Sequence, residues 1–265
     1  MIRLHVEGIG LCGPGLAGWA GSVPVLAGQA AYESALVVIP PADLLPPNER
    51  RRAPRIVKLA LAVGTEAFAA ASRAPVETAS IFASSGGDGE TIHEILDTLA
   101  SLRRELSPTR FHNSVHNVAA GYWNIATGAK APATSLCAYD GSFAAGLLEA
   151  GAQAAALGKT VALIAYDIPY PAPLAAARPI AAIFGVALLL SPVRSPASRA
   201  CIELALAPQP GMPTPAGGPA LEALRRNVPA ARCLPLLEAL AGNRAAEIRL
   251  DYLEDLAVAI RVTPA

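Results

Sequence analysis

"SPTRFHNSVHNVAAGYWNIATGAKAPATSLCAYDGSFAAGLLEAG", residues 107–151, is the stretch on which the reading of this chain turns. After Pro108 a polar loop containing His112 and His116 feeds an apolar helix that stops near Gly128. A short strand, "ATSL", follows, and Cys137 then opens a second helical segment that begins near Tyr139. A thiol beside a helix N-terminus meets unpaired N–H groups and the positive end of the dipole, and both favour the thiolate. Asp140 works against this, because its charge repels a neighbouring thiolate. Gly141, Ala144, Ala145 and Gly146 give the helix small faces, with Glu149 and Gln153 as its only later polar points. That composition predicts a helix buried nearly all round. Two readings of Cys137 stand side by side: a nucleophile, and a small buried thiol of the core.

His112 and His116 share a face if they lie on one helix, which suits a metal ion, but no third ligand stands out. Either imidazole can instead serve as the base for Cys137, or both simply line the loop. "SSGGDGET", residues 84–91, lacks the lysine of a phosphate loop and reads as a turn with Asp88 capping the next helix. The basic run Arg50–Arg52 is a solvated helix start, or a docking point for an acidic partner such as a carrier protein.

Outward from this stretch, strands alternate with helices. "MIRLHVEG" sets Ile2, Leu4 and Val6 against Arg3, His5 and Glu7, the alternation of a half-buried strand. A glycine-rich turn and the apolar run "ALVVI" come next. Residues 48–72 read as helix, with Pro54 in the first turn of its long part, and "TASIFASSGG" as a strand ending in a loop. Within residues 88–106, Ile92, Ile95, Leu96, Leu99 and Leu102 fall on one helical face. "KTVALIAYD" is strand-like. Residues 167–219 are rich in Pro and Gly around two apolar runs, and the end reads helix, helix, strand. The alternation predicts a layered α/β domain.

Composition excludes several functions. Apolar residues make up 53% and charged residues 16%, so the chain is not disordered over most of its length. Its 21 basic residues balance its 21 acidic ones, which argues against nucleic acid or an anionic membrane as partner. Cys12, Cys137, Cys201 and Cys233 are too far apart for a zinc ribbon, and reduced thiols in a cytoplasmic protein are expected. Glu7 and the early glycines interrupt any signal-peptide core, and the run Ile180–Leu190 is too short to span a bilayer. No cofactor or metal site is expected.

Taken in order, these segments resemble the N-terminal half of β-ketoacyl synthases. In that family an "N…AG…I" helix, a "GP" turn and a short strand precede the reactive cysteine. Asn117, Gly121, Ile125, Gly128 and Pro132 occupy the pattern, and Cys137 falls on the cysteine position. "GIGLCGPG", "ERRRAPRIVKLALAVGTEAF" and "IFASSGGDGETI" are similar to earlier parts of the same half. The resemblance covers residues 1–167, with 168–265 a shortened and divergent remainder of a single domain. It implies a thiolase-like layered α/β fold, a truncated ketosynthase with a buried central helix between mixed sheets.

A full synthase carries two later histidines, in motifs such as "HGTGT", that assist decarboxylation and condensation. Every histidine here lies at or before His116. The chain therefore resembles the short chain-length-factor-like proteins that accompany full synthases in aryl polyene biosynthesis. The resemblance implies an accessory subunit that pairs with a full-length β-ketoacyl synthase, or with itself. Its acyl chains would be presented on the phosphopantetheine of an acyl carrier protein. The other reading is an autonomous cysteine acyltransferase or hydrolase using Cys137 with His112 or His116. Tyr122 and Trp123 are expected either to anchor the dimer interface or to fill the core.

Overall fold

A computed structural model describes residues 1–102, 104–208 and 211–265. Arg103, within the stretch 88–106 read as helix from its sequence, and positions 209 and 210, in the Pro- and Gly-rich stretch, lie outside the described residues. In chain order the elements begin with β1 (Ile2–Gly13), β2 (Leu16–Ala17), α1 (Trp19–Leu26), α2 (Pro47–Arg52) and α3 (Arg55–Ala70). β3 (Ala79–Ala83), α4 (Gly89–Ala100), α5 (Pro108–Asn113), α6 (Val118–Thr127), β4 (Ala133–Leu136) and α7 (Ser142–Leu157) follow. The remainder comprises β5 (Val161–Asp167), α8 (Leu174–Ala177), β6 (Phe184–Ser191), β7 (Ala200–Pro208), α9 (Pro219–Asn227), α10 (Leu234–Ala241), β8 (Ala246–Asp251) and β9 (Leu256–Pro264).

The strands form one nine-stranded mixed sheet in the order β4-β3-β5-β6-β1-β7-β9-β8, with β2 added beside β1. β4, β3 and β5 run parallel, and the other pairings are antiparallel. Every residue of β3, β5 and β6 is buried, as expected for strands covered on both faces. α1, α7, α9 and α10 build the core on one face, and α3 and α6 build it on the other.

Burial, more than helix propensity, fixes α3. Ile56, Val57, Val63 and Gly64 are mediocre helix formers, each costing about 0.5–1 kcal/mol against alanine. Burying a single Leu, Ile or Val side chain contributes about 1.5–3 kcal/mol, and α3 buries Ile56, Val57, Leu59, Leu61 and Val63. α3 also lies close against β1. A Cβ at Gly10 would sit 2.0 Å from the Val63 carbonyl oxygen, so only glycine permits the approach.

Two sequence expectations change, and one left open is decided. Glu7 does not face water. A β-bulge between Val6 and Gly8 turns it inward, where it is fully buried and accepts from Arg73 Nε at 2.7 Å and Ser195 Oγ at 2.5 Å. Tyr122 and Trp123 belong to the core, at 2% and 1% exposure, with Trp123 packed on Phe68 and Phe82. They anchor no surface of this chain. Finally, α7 has the sheet on one side only. Its Phe143, Ala144, Leu147, Ala150 and Ala154 are buried, while Ala145, Leu148 and Glu149 are half-buried and Ala152 and Ala156 exposed.

Candidate functional site

The carboxyl ends of the three parallel strands converge on one place, where open α/β sheets commonly hold their ligands. Ser84 and Ser85 follow β3, Cys137 follows β4, and Asp167 ends β5. The Cys137 thiol is exposed and donates to the Ser85 carbonyl at 3.0 Å. His116 Nε2 lies 3.4 Å from the neighbouring Ser84 carbonyl. The loop after β3 thus brings Cys137 and His116 to adjacent carbonyls.

His112 goes elsewhere. α5 ends at Asn113, so the two histidines share no helix and no helical face. The His112 ring packs edge-on against Tyr122, with centroids 6.3 Å apart. Among the described residues no three His, Cys, Asp or Glu side chains gather into a metal site.

The expected helix start also shifts. A 3-10 turn, Tyr139–Gly141, precedes α7, which begins at Ser142. The Ser142 hydroxyl accepts from the Ala138 N–H at 3.0 Å and donates to the Tyr139 carbonyl at 2.7 Å. Cys137 therefore stands outside the first turn of α7, and the dipole effect fades beyond that turn. Tyr139 takes the sharpest point of the strand-to-helix connection, with φ +51° and its side chain exposed. Arg178 covers its ring at 3.7 Å from the centroid.

Asp140 is paired on both carboxylate oxygens. Arg178 binds its Oδ1 at 2.5 Å, and Arg232 binds its Oδ2 at 3.0 Å and Asp251 at 3.2 Å. The two guanidinium groups neutralise the charge expected to oppose a thiolate.

Asp167 organises the rest. Its Oδ1 accepts from Ser85 N at 2.9 Å, Ser85 Oγ at 2.8 Å and Ser84 Oγ at 3.3 Å, and its Oδ2 accepts from Ala230 N at 2.9 Å. Complete burial pushes its carboxyl up to about 6, a rise that these hydrogen bonds partly offset. Tyr170 closes the loop from above. A Cβ on Gly86 would lie 2.0 Å from the Tyr170 hydroxyl oxygen, so this loop has no room for a side chain there. Asp88 caps α4 as expected, accepting from Thr91 N at 3.1 Å.

Sequence reasoning found Cys137 and His116 but missed Asp167, Arg178 and Arg232. One signal was available for Asp167: a lone acid closing the apolar run "VALIAYD", in register with the strand carrying Ser84 and Ser85.

Comparison with known proteins fits this arrangement. The profile of the family described as β-ketoacyl synthase, N-terminal domain, matches residues 27–241. The chain belongs to that family. The match runs past residue 167 and ends at residue 241. No match was found among curated proteins.

Solved structures share the fold. A ketosynthase in complex with its chain length factor from Xenorhabdus doucetiae superposes with TM-score 0.73 at 22% identity, covering 98% of this chain and 100% of the matched one. The ishigamide ketosynthase/chain length factor gives TM-score 0.73 at 15% identity, covering 100% and 99%. A β-ketoacyl synthase from Burkholderia phymatum gives 0.67 at 12%, with both chains covered completely. The β-ketoacyl synthase-like chain therefore has the thiolase-like fold that its sequence resemblance implied.

Proposed function

We propose that this protein is a chain-length-factor-like subunit that pairs with a full-length β-ketoacyl synthase. The assembly would extend acyl chains carried on an acyl carrier protein in fatty acid, aryl polyene or related polyketide synthesis. The observation that carries this reading is the Cys137 thiol, which donates to a backbone carbonyl where an active nucleophile needs a base. Similarity to chains from ketosynthase/chain length factor complexes supports the same role.

The surface available to a partner lies at one edge of the sheet. Among the described residues β4 pairs with β3 alone, and its residues are half-buried or exposed. Gln153 of α7 donates to Thr134 of β4 at 3.2 Å, so the outward stripe of α7 continues that edge. An unpaired strand edge beside an apolar stripe invites a second chain. Co-expression with a full-length synthase followed by co-purification and mass measurement tests the proposal. A one-to-one complex is expected, and two species that never associate would defeat it.

One observation favours a second reading, an autonomous acyltransferase or hydrolase. Cys137 and His116 reach the neighbouring Ser85 and Ser84 carbonyls, so one loop holds both a thiol and a candidate base. Hydrolysis of an acyl thioester by the purified chain, lost in Cys137→Ala and His116→Ala, would establish this reading in place of the first.

A further inference from the structure

A cleft of about 760 Å³ opens on the side of the molecule built by the C-terminal segments, and Arg225, Arg226, Arg232, Glu222, Asp251 and Thr214 line it. Its charges are unequal: three guanidinium groups face two carboxylates. Glu222 is already spent. It holds Arg225 through two hydrogen bonds of 2.7 and 2.8 Å and accepts from Ala216 N at 2.8 Å. Arg225 hydrogen bonding keeps its carboxyl down at about 2, so it stays ionised and paired. Asp251 is engaged by Arg232 at 3.2 Å, and Asp140 by the same side chain at 3.0 Å.

Arg226 is different. It is exposed, and among the described residues no carboxylate lies within ion-pairing distance of it. Beside it the Arg225 side chain is only 7% exposed, held rigid by its fork on Glu222. A rigid arginine, a second arginine shared between two acids and a third without a partner leave unfilled donors around one cleft. One fork satisfies a carboxylate, whereas a phosphate has enough oxygens to accept from several arginines at once. The remaining wall is apolar, with Met212 and Pro213.

We infer that this cleft binds an organic phosphate ester, the phosphate held by Arg226 together with Arg225 and Arg232, and the organic group lying against Met212 and Pro213. The site borders the turn after Cys137, because Arg232 belongs both to the cleft and to the clamp on Asp140. The inference stands independently of the subunit reading.

The test is calorimetric titration of the purified chain with butyl phosphate and, separately, inorganic phosphate. Butyl phosphate should bind saturably, more tightly than inorganic phosphate, with an affinity that falls as salt is added. Arg226→Ala, at an exposed position, should keep the wild-type melting temperature and weaken butyl phosphate about tenfold. Arg226→Lys keeps the charge without the fork and should fall between the two. Absence of saturable binding, or equal affinity in wild type and Arg226→Ala, overturns the site. Equal affinity for the two phosphates overturns the ester assignment.

Discussion

The Cys137 thiol donates to the Ser85 carbonyl across 3.0 Å, and this contact joins the end of β4 to the loop after β3. The loop is itself fixed by the buried Asp167, so the position of the sulfur depends on a carboxylate two strands away. The arrangement keeps a cysteine exposed while tying its thiol to a backbone oxygen.

Exposure and burial separate the thiols. Cys137 is exposed, whereas Cys12 and Cys233 are buried, and desolvation pushes the Cys12 thiol up to about 11. Iodoacetamide at neutral pH should modify Cys137 first, read by intact-mass and peptide analysis. Cys137→Ala should remove this first adduct, while Cys12 and Cys233 should react only on unfolding. Early labelling of Cys12 would contradict the packing described.

Asp167 makes stability depend on pH in a direction opposite to that of most carboxylates. Its folded value of about 6 lies above the ordinary 3.8, so folding favours the protonated acid. The contribution is fully present below about 3.8 and is lost as pH rises through about 6, for a total of about 3 kcal/mol. Asp167→Asn removes this titration. Urea unfolding at pH 7 and pH 5 should show the wild type gaining roughly 1 kcal/mol on the variant at the lower pH. A pH-independent difference would rule out the assignment.

Glu7 is buried and Arg73, its partner, is partly exposed. Replacing Arg73 with alanine leaves the carboxylate with Ser195 as its remaining side-chain partner, and should cost about 2 kcal/mol after allowance for solvent at Arg73. Glu7→Gln keeps one oxygen to accept from Arg73 and turns an NH2 group toward Ser195, whose hydroxyl can rotate to accept it, and should cost about 1 kcal/mol. Denaturant titration checks the order. If Glu7→Gln proves the more damaging, the bulge matters through something other than charge.

Local pattern revealed the elements and left their partners hidden. The alternation in β1 identified a strand but placed Glu7 on the wrong side, because a bulge changes the face without changing the sequence period. The periodicity of α4 was equally plain, yet its Leu96 and Leu99 lie exposed, as does Leu102 beyond its end. An apolar face in sequence does not say what covers it. "AEIRLD" escaped notice because it is too polar to resemble a core strand, and it forms β8 at the sheet edge. In the site, Cys137 was legible as a thiol after a short strand. Its surroundings were not, since Ser85 and Asp167 come together only through the pairing of β3 with β4 and β5, and Arg178 and Arg232 reach Asp140 only through the folding back of the C-terminal turns.

The partner surface can be tested without disturbing the fold. Ala145, Ala152 and Ala156 follow one side of α7, and Ala152 is exposed in the isolated chain. An arginine there meets only water while the chain is alone, so Ala152→Arg should melt with the wild type. In a complex that uses this face, a long cation would be driven against the partner, at a cost of several kcal/mol in desolvation and lost packing. A biological contact buries more than about 1,000 Å², too much to form around such an obstruction. Sedimentation of wild type and Ala152→Arg with a full-length synthase should therefore show a complex for the first and separate species for the second. An exposed control, Ala20→Arg in α1, should leave the complex intact, because α1 lies with α10, away from β4. If Ala152→Arg associates as tightly as the wild type, the partner docks elsewhere and the β4–α7 edge has no part in assembly.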